Sequence, residues 1–231
     1  MARATTIATQ ESTPIRITTR SGRVKVTGEA RDDVLVERGG DDVSSDADGV
    51  SITRSSGSVS VRCPAGSDVV VGTGSGSVSL RGSLGDARVT TGSGSITVEQ
   101  VERVDARTGS GSIEVDGCHR DCRCHTGSGS LRIGRAGSAE LVTPSGSVDA
   151  DAVGDAVVRA GSGSVRVGLT RAGNLTVESH SGSVDVSVPS GVHPEVDLRA
   201  KSGSVRCDCD EGTDGAIHVK AGSGSITVTE R

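Results

Sequence analysis

The side chains best equipped for chemistry in this chain are its six cysteines and five histidines. Cys118, His119, Cys122, Cys124 and His125 lie within one short stretch, and thiolates with imidazoles are the ligand types that hold zinc. A structural zinc site draws its ligands from two such clusters at recognised spacings. Here the spacing Cys-x3-Cys-x-Cys-His from Cys118 to His125 is not a recognised ligand pattern and supplies no second knuckle. These five residues are therefore weak metal candidates, and the reading that competes is packing, because a thiol behaves as a small apolar side chain. Cys207 falls at a position where other segments carry Val, which favours the same reading. A disulfide between residues two apart on one strand is poorly placed, and disulfides are rare in a reducing compartment. The expectation is a chain with no cofactor and no bound metal.

Other constellations are thinner still. Asp208, Asp210, Glu211 and Asp214 with Gly212 and Gly215 resemble a calcium loop but lack its closing bidentate Glu. His180, His193 and His218 are scattered without a shared acid or nucleophile, so no Ser-His-Asp set can be assembled. The abundant Gly-Ser-Gly-Ser turns are followed by no Lys and open no helix, which excludes a phosphate loop. No catalytic residue is expected, and the chain is read as non-enzymatic.

The elements that would position any of these residues are set by a repeat. Twelve times a turn, best written Thr-Gly-Ser-Gly-Ser, precedes an aliphatic residue, at intervals of 16 to 21 residues. These anchors are Val24, Val43, Val59, Val78, Ile96, Ile113, Leu131, Val148, Val165, Val184, Val205 and Ile226. Four offsets are apolar: the anchor, two after it, and nine and seven before it. Of the 48 positions so defined, 47 hold Val, Ile, Leu, Ala or Cys, and Ser45 is the exception. The residue between each anchor pair, such as Ser79, Thr97 or Glu114, is polar in every coil. That period of two marks a strand with one buried face, and each coil holds two short strands.

Like spacing places equivalent residues of successive coils side by side, which predicts an all-β, single-stranded parallel β-solenoid of about twelve coils. Residues 1–14 form an N-terminal segment able to cover part of one end, and residues 15–231 form one continuous repeat domain. Gly stands two before the anchor in eleven of twelve coils, with Asp41 the departure, as a sharp corner requires. Insertions collect at the opposite edge, from Asp46-Ala47-Asp48 to the long segments 188–195 and 207–215. Outward charges alternate in sign, as in Glu114, Arg132, Asp149, Arg166, Asp185 and Arg206, so stacking in chain order brings opposite charges together.

Composition removes several functions. The chain has no Phe, Tyr or Trp, hence no stacking platform for sugars or single-stranded nucleic acid. A net charge of −5 with mixed signs leaves no basic footprint for nucleic acid. The first twenty residues hold three arginines and no apolar run, so neither signal peptide nor membrane span is read there, and a cytoplasmic location is expected.

The recurrent Ser-Gly-Ser-Val, Ser-Gly-Ser-Ile and Thr-x-Ser-Gly-Ser units from Ile15 to Val228 resemble the bacterial β-strand-repeat family labelled "putative adhesin", a domain of unknown function. The resemblance implies a right-handed solenoid, often envelope-associated, with no established enzyme activity and no motif residues to carry over. Two roles follow as expectations. The first is a structural scaffold that self-associates end to end, because the last coil stops at Val228-Thr-Glu-Arg231 with no cap. The second is an adhesive or ligand-binding module using the loops at 188–195 and 207–215.

Overall fold

The computed structural model describes residues 5–8, 14–39, 43–46 and 49–231. Asp41, the insertion residues Ala47 and Asp48, and most of the expected N-terminal cover lie outside the described residues. Every described element is a strand. In chain order these are β1 (Thr5–Ala8), β2 (Ile15–Ser21), β3 (Val24–Glu29), β4 (Asp33–Arg38), β5 (Val43–Asp46), β6 (Gly49–Arg54), β7 (Val59–Pro64), β8 (Val69–Ser75), β9 (Val78–Ser93) and β10 (Ile96–Ser110). There follow β11 (Ile113–Ser128), β12 (Leu131–Ser145), β13 (Val148–Ser162), β14 (Val165–Leu169), β15 (Gly173–Ser181), β16 (Val184–Val188), β17 (Glu195–Ser202), β18 (Val205–Asp208), β19 (Gly215–Ser223) and β20 (Ile226–Glu230). The chain divides into two compact units, residues 1–119 and 120–231.

In the first unit the apolar offsets point inward as the repeat requires: Ile15, Ile17, Val24 and Val26 are completely buried, as are Ile96 and Val98. Parallel ladders join equivalent residues, Val24 with Val78 and Ile96 with Val78. The order of coils is nevertheless not the order of the chain. The coil of β2 and β3 lies between that of β6 and β7 and that of β8 and the start of β9. The segment anchored at Val43 does not form a parallel coil at all. Its strands run backwards, β4 pairing antiparallel with β7 and β5 antiparallel with β6, and β1 adds antiparallel to β4. The reversal starts at Arg31, whose guanidinium donates to Glu29 Oε1 at 3.0 Å and Asp33 Oδ1 at 2.7 Å, pinning the turn between β3 and β4. Strand β7 then slots between those two strands, and its Arg62 bridges them, 2.7 Å from Glu37 and 3.5 Å from Glu29. Reversal also explains the one odd inward residue: Ser45 is exposed, because β5 ends the ladder.

The second unit repeats the device at its far end. Ladders run from β13 to β15, β15 to β19 and β19 to β17 on one face. On the other they run from β14 to β16, β16 to β20 and β20 to β18. The Ile226 coil is therefore inserted between the Val184 and Val205 coils, and the Val205 coil is outermost. Charge alternation holds where coils are truly adjacent, Asp149 opposite Arg166 and Arg166 opposite Asp185. Arg206 faces Thr227 instead of Asp185, contrary to the chain-order expectation.

Two features of the coil escape a four-offset reading. Strands β9, β10, β12 and β13 continue around the variable edge and bury a third row, Leu84 and Val101 in the first unit and Ala136 and Val153 in the second. The Thr of the Thr-x-Ser-Gly-Ser turns also points inward. Thr91 Oγ1 donates to Gly76 O at 3.3 Å, Thr108 Oγ1 to Gly94 O at 3.1 Å and, in the second unit, Thr143 Oγ1 to Gly129 O at 3.2 Å. These hydroxyls satisfy corner carbonyls that the ladder cannot reach. The corner glycines are needed for a second reason besides backbone freedom. A Cβ on Gly22, whose φ is +120°, would run into the Gly57 carbonyl oxygen of the coil stacked on it.

Candidate functional site

The most unusual surface of the molecule is the outer face of the Val205 coil. Strand β17 is paired with β19 and β18 with β20, and among the described residues neither has a partner on its other side. The inward offsets of this coil carry Val196, Leu198, Val205 and Cys207. Val205 is 47% exposed, whereas its register partner Ile226 is fully buried. Val196 and Leu198 are half-buried and Cys207 is exposed. The expectation that Cys207 packs in the core fails for this reason: its offset points inward, but no coil covers it. The uncapped edge is likewise not the Ile226 coil with its closing residues, which is covered, but the coil before it.

The two long insertions, 188–195 and 207–215, meet beside this face. His193 N donates to Asp214 Oδ2 at 3.1 Å, Asp214 N to His193 O at 2.9 Å, and Gly212 N to Pro194 O at 3.1 Å. The first loop is also tied to the last strand, Ser190 N to Arg231 O at 2.9 Å and Gly191 N to Glu230 Oε1 at 3.2 Å. Of the acids read as a possible calcium loop, Asp214 is thus engaged by backbone, and Asp208 Oδ2 takes Arg206 Nε at 2.6 Å. Next to the loops, Asp197 is held below its usual carboxylate range by its hydrogen bond from Arg199 at 2.8 Å.

Cys207 and Cys209 bring their sulfurs to 3.2 Å. Strand β18 ends at Asp208, so Cys209 stands in the bend beyond it and is turned back toward its neighbour. Burial, reinforced by Cys207 and by the carboxylates of Glu211 and Asp210, pushes the Cys209 thiol up to about 12.

The other sequence candidates are distributed over both units. In the first, Cys118 is buried with its Sγ 3.6 Å from Glu102 O, and the exposed ring of His119 places Nδ1 3.2 Å from Val101 O. In the second, Cys122 and Cys124 face inward, buried, with sulfurs 3.7 Å apart, while His125 points outward. Among the described residues no three His, Cys, Asp or Glu side chains gather as a metal-binding group. His218 Nδ1 lies 3.8 Å from Asp197 Oδ2, and His180 lines an open groove of about 480 Å³ with Arg159, Glu178, Lys201 and Lys220. No described helix is long and apolar enough to cross a membrane.

Coils laddered in parallel, a buried hydroxyl row and glycine corners define a β-solenoid built from strand repeats. The chain belongs to the Toastrack DUF4097 family, whose model matches residues 5–230. Among solved structures it is similar to one described as a "putative adhesin" from Bacteroides fragilis, with 11% identity, TM-score 0.51, and 99% of this chain and 97% of that one covered. A second, described as a "putative cell adhesion protein" from Clostridium sporogenes, aligns over the full length of both chains at 9% identity with a TM-score of 0.25. No curated protein matches the chain.

Proposed function

We propose that the protein is a non-enzymatic interaction scaffold that pairs with a second copy of itself through the outer face of the Val205 coil. The observation that carries this is Val205, 47% exposed at an offset where Ile226 and Val184 are fully buried. Strands β17 and β18 offer a row of edge N–H and C=O groups beside an apolar row, a template for another strand. A second copy presents the same row, and a two-fold axis lays β17 and β18 against their equivalents in a closed dimer.

The test is molar mass by light scattering across a wide concentration range under reducing conditions, with refractive-index detection since the chain has no Trp or Tyr. Wild type should rise from one chain to two, and Val205→Lys should remain at one. A wild type that stays at one chain, or a variant that dimerises equally, overturns the reading.

A second reading, an adhesive or ligand-binding module, is favoured by the mutual pinning of the 188–195 and 207–215 loops through His193 and Asp214. It requires that a bound partner be lost when residues 210–213 are replaced by Gly-Ser while the molar mass of the free protein is unchanged.

A further inference from the structure

We propose that Cys207 and Cys209 form a thiol–disulfide exchange site that reacts with small disulfides and closes to an intramolecular disulfide. The chain contains two Cys-x-Cys pairs in contrasting settings. Cys122 and Cys124 lie side by side on one strand with both sulfurs buried. Cys207 is exposed, Cys209 half-exposed, and the bend after Asp208 brings their sulfurs within 3.2 Å. Contact at that distance and access to reagent are the two requirements for exchange followed by closure, and only the second pair meets both.

The steps balance as follows. Cys207 Sγ, having released its proton to solvent, attacks one sulfur of a disulfide R–S–S–R. The departing thiolate takes up a proton to give one R–SH and a mixed disulfide on Cys207. Cys209 Sγ, likewise deprotonated, then attacks the Cys207 sulfur and expels the second thiol. Two protein thiols are oxidised and one small disulfide is reduced to two thiols. Cys207 is the first nucleophile because it is the more exposed of the two. The influence of Cys207 on Cys209 disappears once Cys207 is capped, which eases the second step. Asp210 and Glu211 beside the pair favour a cationic or neutral reagent over an anionic one.

Cystamine, a small cationic disulfide, is the probe, added to dilute native protein. The site does not depend on the edge pairing proposed above, and dilution keeps the two questions apart. Intact mass should fall by two hydrogens, and tryptic mapping should place the bond inside the single peptide from Cys207 to Lys220, with Cys63, Cys118, Cys122 and Cys124 still reduced. Cys209→Ser should instead retain a stable cysteamine adduct on Cys207, and the double serine variant should not react. Wild type that accumulates the adduct without closing, that forms its disulfide elsewhere, or that leaves both thiols unreacted overturns the proposal.

Discussion

Val184 is the register partner of Ile226, and Ile226 is in turn the partner of Val205, so the last coil of the chain lies between two coils that precede it. Chain order would have set Val184 against Val205. The insertion buries the final strand and leaves the preceding coil at the edge, which is why residues 195–208 are the exposed face on which the proposed pairing rests.

That order can be checked by cross-linking outward register partners in a Cys207→Ser, Cys209→Ser background. Asp185→Cys with Thr227→Cys should form a disulfide under mild oxidation, since the two positions face each other on β16 and β20. Asp185→Cys with Arg206→Cys, neighbours only if coils stacked in chain order, should not. Peptide mapping distinguishes the outcomes, and the opposite pattern would refute the inserted coil.

The inward rows, the corner glycines and the solenoid itself were legible because each rests on a period that survives wherever a coil is placed. Coil order was not legible for the same reason: Val24, Val59, Val78 and Val184 are interchangeable inward residues, and a ladder between any two coils looks alike in sequence. The charge row misled, since Asp185 and Arg206 are complementary but not adjacent. Two signals did point to the reversed segment. Ser45 breaks the inward row, and the sequence spacing from Val43 to Val59 is the shortest of the repeat. Exposure of Cys207 and Val205 follows from their place in the stack and has no local signature. The buried threonine row was present in the Thr-Gly-Ser-Gly-Ser motif and is recognisable once the hydroxyl is seen to serve the corner carbonyl.

The threonines should not be energetically equal. Thr108→Val removes the donor to Gly94 O and should cost about 1–3 kcal/mol, whereas Thr108→Ser should recover most of it. Thr73 Oγ1 is buried and has no hydrogen-bond partner among the described residues, so Thr73→Val should be neutral or stabilising. Urea denaturation followed by far-ultraviolet circular dichroism measures both, and equal losses at the two sites would contradict the assigned role.

Glycine substitutions separate corner from strand. Gly22→Ala places a Cβ at φ +120° against the Gly57 carbonyl, and the backbone conformation alone should cost about 1–3 kcal/mol. Gly72→Ala meets nothing within 4 Å among the described residues and should change stability by less than about 0.5 kcal/mol. Comparable midpoints for the two variants would show that the corners do not stack this closely.

Alkaline pH should weaken the first unit through Cys63. Burial pushes this thiol from 9.0 up to about 11. Above pH 9 the unfolded chain loses the proton that the folded chain keeps, so stability is fully present below pH 9 and falls until about pH 11. The slope is about 1.4 kcal/mol per pH unit for this group. Cys63→Ala should have lower stability at neutral pH, from the lost packing, but a shallower decline between pH 9 and 11. An unchanged slope in the variant would assign the alkaline loss to other groups.

Hydrogen–deuterium exchange of the native protein at several concentrations, under reducing conditions, addresses the scaffold reading at the residues concerned. Edge pairing predicts that those amides within Val196–Ser202 and Val205–Asp208 that do not bond to β19 or β20 exchange rapidly in dilute protein and become protected as concentration rises, while those of β19 and β20 are protected throughout. Exchange in β17 and β18 that does not depend on concentration, or protection that grows elsewhere instead, would contradict an association surface on the Val205 coil.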